Sequence, residues 1–290
     1  MTVNPQHELL KRGTLVWNDW RKDHPTASIK LSKVHCSRLD LSGADLSAAD
    51  LSESVLHAAD LSGADLCKAS LLRADLSGAN LSGANLTAAN LSEAGLDRAC
   101  LRGAVLRRAK LSGASISGAN FSGASLVEAD ISGLDLHGVE LRGVNLRAID
   151  LRGIDFSGMD LIGADLLGVN LSGANLAGAK LNACNLTGAN LSGADLSGAE
   201  ISHANLSRAV LTGANLAEVD LRGSVLHKAH LGGANLIDAS LDRADLSGAD
   251  LNGANLSGAW AYDANLHEAD LSGACLDGAF IKRPVRSDDR

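Results

Sequence analysis

Apolar residues recur along this chain with a period of five. From Leu41 every fifth position to Ile281 is apolar, without a single insertion or deletion. Of these 49 centres 42 are Leu, so one shape of core is specified throughout. The exceptions are Ile116, Phe121, Ile131, Phe156, Ile201, Ala261 and Ile281. Two residues before each centre stands a second apolar residue, nearly always Ala. Asp or Asn lies between them, and Ser and Gly follow; residues 189–198 read ANLSGADLSG. An α-helix advances about 100° per residue, so leucines five apart step about 140° and form no stripe. Gly in most units would also cost a helix about 1 kcal/mol each. A strand alternates in twos, which suits Ala79 and Leu81, but Leu81 to Ala84 is three. The pattern therefore predicts a short extended piece and then a corner, with Gly supplying positive φ. One unit cannot bury its apolar pair alone. Stacked units complete a shared core, which predicts a solenoid.

The unit A-(D/N)-L-x-x closely resembles the signature of the pentapeptide-repeat family, and the resemblance runs from Cys36 to Ile281. It implies an all-β solenoid, a right-handed quadrilateral β-helix with four units, hence 20 residues, per coil. The expected organisation is an N-terminal capping segment with a short helix over 1–30, one elongated repeat β-helix over 31–281, and a polar tail over 282–290.

The ends and the middle depart from the pattern. Pro5 to Asp23 carries Leu10, Trp17 and Trp20 at helix-like spacing, and Pro25 stops the run. An open coil end exposes apolar cross-section and unpaired backbone groups, so these three residues are expected to form a lid on the first coil. Leu134, Val139, Val144, Ile149, Ile154, Met159 and Val169 replace the usual Ala, which predicts a coil that is locally wider or differs in its turns. Near the far end Trp260 and Phe280 both precede a centre by one and lie 20 apart, hence outward and stacked. Tyr262 points outward on the same side. With Ile281 these residues are expected to form the interface of a homodimer joined through the C-terminal end, for which the family offers precedent. The competing expectation is a tail that turns at Pro284 and covers the last coil.

Composition and chemistry narrow the function. Aromatics are 2% of the chain, as a narrow Leu and Ala core requires. Five cysteines at scattered positions form no CxxC pair, which suggests a reducing cytoplasm. No signal-peptide or membrane-spanning run is evident, so no membrane partner is expected. No catalytic constellation, metal set or cofactor motif emerges. His57 and His137 fall four coils apart, and the cluster of His227, Lys228 and His230 lacks the Cys or Asp of a metal site. The glycines occur at corners and form no strand-to-helix GxGxxG loop. The expectation is a protein that is not an enzyme.

Charge is distributed unevenly. The side with centres 56, 76 and onward carries Asp75, Asp97, Asp135, Asp155, Asp195, Glu218, Asp238 and Asp277 against Arg98 alone. A basic cluster, Arg102, Arg107, Arg108 and Lys110, lies elsewhere, and the whole chain has net charge −8. Two functions are consistent with this surface. The first is a non-catalytic interaction or scaffold rod in a bacterial cytoplasm, binding a protein partner and no nucleic acid directly. The second follows from the resemblance: some family members mimic DNA, bind DNA gyrase and give resistance to topoisomerase poisons. The acidic residues, with Asp75, Asp97, Asp135, Asp155, Asp195 and Asp238 foremost, would then meet the partner. The four sides of centres 41 to 281 sum to net −12, so a rod of about 60 Å would carry about one net charge per 5 Å. Duplex DNA carries one per about 1.7 Å, so the scaffold reading ranks first.

Overall fold

The computed structural model describes residues 4–282 and falls into two compact units, Met1–Asn145 and Leu146–Arg290. Both are built on one rule: a residue pairs in parallel with the residue 20 positions later. In the first unit the bridges run from Lys30↔Asp50 to Ser125↔Asn145, and in the second from Asp150↔Asn170 to Asn255↔Cys275. Successive bridges start five residues apart, at Asp40, Asp45, Asp50 and Val55, so four ladders share each coil. The second unit ends with β1 (Trp260–Tyr262) and β2 (Phe280–Lys282), which pair in parallel with Trp260 opposite Phe280.

Hydrogen bonding explains the five-residue motif position by position. In the unit 79–83, Ala79 N donates to Leu76 O within the turn at 2.9 Å, and Asn80 N donates to Ala59 O of the coil before at 2.9 Å. Leu81 N and Gly83 N donate to Cys100 O and Arg102 O of the coil after, at 2.7 and 2.8 Å. The remaining amide, Ser82 N, donates to the Asn80 side-chain oxygen at 3.1 Å. All five donors are thus satisfied, as a buried or half-buried backbone demands. Leu is inward and fills the core; Ala is inward where space is short. Asp or Asn is needed for its oxygen, since it closes an Asx turn around the Ser amide.

The fifth position adopts the left-handed conformation whether or not it is Gly. Gly83 has φ 65°, and Arg73, Glu93, Ala148 and His203 have φ 57°. An L-residue pays roughly 1–2 kcal/mol for this conformation. The stacking bond from its amide, such as Arg73 N to Ser92 O at 3.1 Å, offsets that cost. Glycine is therefore the commonest solution to the corner and not a requirement.

Leucine centres such as Leu81 and Leu191 and their alanines Ala79 and Ala189 are fully buried, and Phe121 and Phe156 fit the same row. The larger residues at Ala positions fall in both units: Leu134, Val139 and Val144 in the first, Ile149, Ile154, Met159 and Val169 in the second. Leu134, Ile154 and the centre Ile131 are only half-buried, and Ser115 makes no bridge to Asp135. At the end of the second unit Leu266 and Leu271 are half-buried, and Leu276 and Ile281 are 40% and 37% exposed. The expectation that the tail turns at Pro284 lies outside the described residues.

The N-terminal segment is two helices, α1 (Pro5–Leu10) and α2 (Thr14–Asp23), where helix-like spacing suggested one. Gly13, at φ 106°, breaks the run between them. Asn4 caps α1 by accepting from Gln6 N and His7 N. Leu10 and Trp17 are fully buried; Trp20 is half-buried, packed on Trp17 at 5.4 Å and stacked on His24 at 4.8 Å.

Polar side chains of these helices bond to backbone groups of the first repeats. Asn18 Nδ2 donates to Gly43 O at 2.9 Å, its oxygen accepts from Asp45 N at 2.8 Å, and Trp17 Nε1 donates to Asp45 O at 2.8 Å. On another ladder Gln6 accepts from Lys30 N and donates to Ser28 O, while Asn4 Nδ2 donates to Lys30 O. Arg21, only 8% exposed, pairs with Asp45 at 3.1 Å. Burial pushes the Asp45 carboxyl up, but the Ser47 hydroxyl and amide and Arg21 together hold it below its usual value.

Candidate functional site

The acidic residues singled out from the sequence are divided between the units: Asp75, Asp97 and Asp135 in the first, Asp155, Asp195 and Asp238 in the second. Their bonds separate a structural duty from a charge that is surplus to it. Asp75, Asp135, Asp155 and Asp195 each close an Asx turn, on Ser77, His137, Ser157 and Ser197 respectively. Asn does the same elsewhere, so the fold asks only for the oxygen. Asp195 also accepts from Asn215 Nδ2 at 2.9 Å, and Asn235 Nδ2 in turn donates to Asn215 at 3.0 Å, an amide column ending on a carboxylate. Between Asp155 and Asp195 the ladder passes through Asn175, so these two acids are not adjacent.

Hydrogen-bond donors hold two of these carboxyls below their ordinary value. The Asp195 carboxyl lies below its ordinary value because the Ser197 amide and hydroxyl donate to it, and Asp135 does so because of the His137 amide and ring. Asp135 is 81% exposed at its side chain, so its charge faces solvent. Asp238 occupies a corner at φ 54°, with its carboxylate over the Cα of Gly258.

Asp97 has a role that sequence reading missed. The unit that follows it by one coil has Ser115 where Asp or Asn belongs, and the Ser117 amide donates to Asp97 instead, at 2.9 Å. The device occurs twice more: Asn182 accepts from Ser202 N where Glu200 fills the slot, and Asp242 accepts from Tyr262 N where Trp260 fills it. The signal is readable once the coil length is known. An Asp or Asn just after one centre precedes, by 18 residues, a unit that lacks its own.

In the second unit the aromatic residues come together. Trp260 and Phe280 lie 5.4 Å apart at 39° and are 57% and 45% exposed; Tyr262 is 41% exposed and Ile281 lies beside them. In the first unit, Arg107 and Arg108 of the basic cluster both bind Glu128, at 3.2 and 2.5 Å. The five cysteines are free thiols, and burial pushes Cys36 up to about 11 and Cys184 up to about 12. Among the described residues no group of three or more His, Cys, Asp or Glu is placed to hold a metal ion, and no helix is long and apolar enough to cross a membrane.

A profile of pentapeptide repeats matches eight copies, over residues 30–71, 69–108, 104–143, 140–176, 174–213, 204–243, 214–253 and 239–283. The chain belongs to the pentapeptide-repeat family. This pentapeptide-repeat protein is similar to HetL, involved in heterocyst differentiation regulation in the cyanobacterium Nostoc sp. strain PCC 7120. The identity is 30%, over 90% of this chain and 93% of that one, with a TM-score of 0.27. Rfr23 from the cyanobacterium Cyanothece 51142 shares 31% identity over 41% of this chain and 91% of its own, with a TM-score of 0.32. QnrB1, a plasmid-mediated fluoroquinolone resistance protein, is 17% identical over 88% of this chain and 92% of its own, with a TM-score of 0.23. No curated protein sequence matches the chain.

Proposed function

We propose that this pentapeptide-repeat protein is a non-catalytic binding scaffold, working in a bacterial cytoplasm on a protein partner. One observation carries the reading: the corner of the repeat keeps one backbone conformation with side chains of many kinds. Ala, Arg, Lys, Glu, Asp and His all occupy that corner at nearly the same φ. A surface that can be rewritten without touching the core is suited to display, and fold alone assigns no chemistry. The coils are inferred to be four-sided and right-handed, as the family resemblance implies. Exposed Trp260, Tyr262, Phe280, Leu276 and Ile281 support a homodimer formed through the end of the second unit.

The second reading is a DNA-mimicking surface that binds DNA gyrase, favoured by exposed, firmly ionised carboxylates such as Asp135. Because Asn closes the same turn, changing Asp135, Asp155 and Asp195 to Asn removes charge and keeps the fold. A gyrase supercoiling assay with and without a topoisomerase poison separates the two readings. The scaffold reading expects the wild-type protein neither to inhibit nor to protect gyrase at micromolar concentration. Salt-sensitive protection that is lost in the Asn variant would overturn it in favour of the mimic.

A further inference from the structure

A cleft of about 430 Å3 opens on one side of the second unit, where four successive turns stack at 20-residue spacing. Its lining includes His203, Arg222, Gly223, Asp242, Arg243 and Tyr262, which bring basic, acidic and aromatic side chains together. Asp242 has its duty toward the Tyr262 amide, but the fold does not require His203 or Arg243 beside it. The backbone at these corners needs no particular side chain, and Ala serves at the position of Arg243 in other units.

The donors are arranged for a ligand. Asp220 grips Arg222 through Nε and Nη2, both at 2.8 Å, which fixes the guanidinium plane and leaves Nη1 with no hydrogen bond among the described residues. Arg243 is exposed and has no ion-pair or hydrogen-bond partner among the described residues. The His203 ring lies over the Cα of Gly223, so close that a Cβ there would stand 2.8 Å from its Cε1 and Nδ1. Glycine at 223 thus makes room for the imidazole. Asp242 is pinned by the Tyr262 amide at 2.9 Å and contributes an acceptor beside the guanidinium groups. Two residues from Tyr262 in β1, Trp260 offers an exposed ring on the same side.

We infer that this cleft seats an acidic residue of a partner polypeptide, its carboxylate on Arg243 and Arg222 and a neighbouring apolar side chain on Tyr262 and Trp260. Charge complementarity selects this occupant. The Arg243 guanidinium meets no carboxylate among the described residues and takes one from outside, while Arg222, already paired with Asp220, adds the N–H of its remaining nitrogen. The Asp242 carboxylate repels a phosphate dianion more strongly than the single charge of a carboxylate, and it can accept an N–H from the peptide that carries that carboxylate. Tyr and Trp supply rigid contact area of the kind enriched at protein interfaces. This inference rests on the binding-scaffold reading and assigns it a place and a chemistry.

The test is selection of a random 12-residue phage-displayed peptide library on the full-length protein, followed by fluorescence polarisation with the best peptide. Enriched sequences should share an Asp or Glu close to an aromatic or aliphatic residue. Arg243→Ala should weaken the best peptide about tenfold or more, as expected for loss of a charge-assisted bond, with circular dichroism unchanged. Gly223→Ala should also weaken it by displacing His203, since Ala is tolerated at this corner elsewhere. Replacing the peptide's acid by its amide should match the Arg243→Ala loss, and inorganic phosphate at equal concentration should not compete. Peptides without an acid, binding indifferent to Arg243, effective competition by phosphate, or no enrichment at all would each overturn the cleft assignment. Binding indifferent to Arg243 would still leave the scaffold reading standing, whereas gyrase protection would remove that reading on its own.

Discussion

At the scale of the residue, an acid in this protein is first an oxygen and only then a charge. Asp195 accepts from Ser197 N and Asn215 Nδ2, and an Asn in its place offers the same acceptor. Asp195→Asn keeps an acceptor for both donors and forfeits only the charge assistance, so it should cost less than Asp195→Ala, which should cost about 1–2 kcal/mol by orphaning both donors. Urea unfolding measures the difference; equal midpoints for the two variants would show the Asx turn to be dispensable. The same residues mark what the sequence could disclose. Leu191 inside and Asp195 outside follow from the period alone, because burial needs only the spacing of apolar groups. The duty of Asp97 and Asp242 toward amides 20 residues later depends on which coil lies above which, and a five-residue period does not contain that number. The left-handed corner at Arg73 was equally hidden, since local propensity argues against it and only the stacked neighbour enforces it.

At the scale of the element, the paired helices act as a substitute first coil. Their side-chain amides and the Trp17 indole supply hydrogen bonds that a preceding coil would give through its backbone. Trp17→Phe keeps most of the packing and forfeits the bond to Asp45 O, so it should cost about 1 kcal/mol. Trp17→Ala adds the loss of a fully buried ring, for a total of about 3–5 kcal/mol. Thermal unfolding followed by circular dichroism should rank the parent above the Phe variant and the Phe variant above Ala. A Phe variant as unstable as Ala would move the weight from packing to the hydrogen bond. The sequence singled out Leu10 and Trp17 because large apolar side chains announce themselves, and both are buried. It hid Asn18, Gln6 and Arg21, which look like ordinary surface residues of a helix until their partners are known.

At the scale of the whole molecule, many small ionic preferences share one sign. Asp40, Asp130 and Asp270 lie below 3.8 chiefly through the hydroxyl and amide of the Ser two residues on, and Asp195 through its Ser amide first. A carboxyl whose folded value is depressed adds stability that is complete above its unfolded value and is lost as pH falls through the folded one. The protein should therefore hold a level melting temperature around neutral pH and lose it progressively below about pH 4. A melting temperature still level at pH 2 would contradict these assignments. Self-association belongs to this scale as well. Light scattering should read about twice the 29.7 kDa chain mass, and the double variant Trp260→Glu, Phe280→Glu should return to the single mass with its circular dichroism intact. A parent at single mass at micromolar concentration would sink the dimer.

The spacing of the bridges also works as a modulus for genetic change. Loss of 20 residues, such as 186–205, returns every later residue of that unit to the ladder it already occupied, so the protein shortens without being re-addressed. Loss of five sends every later residue to the neighbouring ladder while still offering each unit its backbone partners. Surface features such as the aromatic pair would then face another way on an unaltered core. Slippage in multiples of five is an editing step that most folds cannot survive, and here it aims the surface and leaves the core to fold as before.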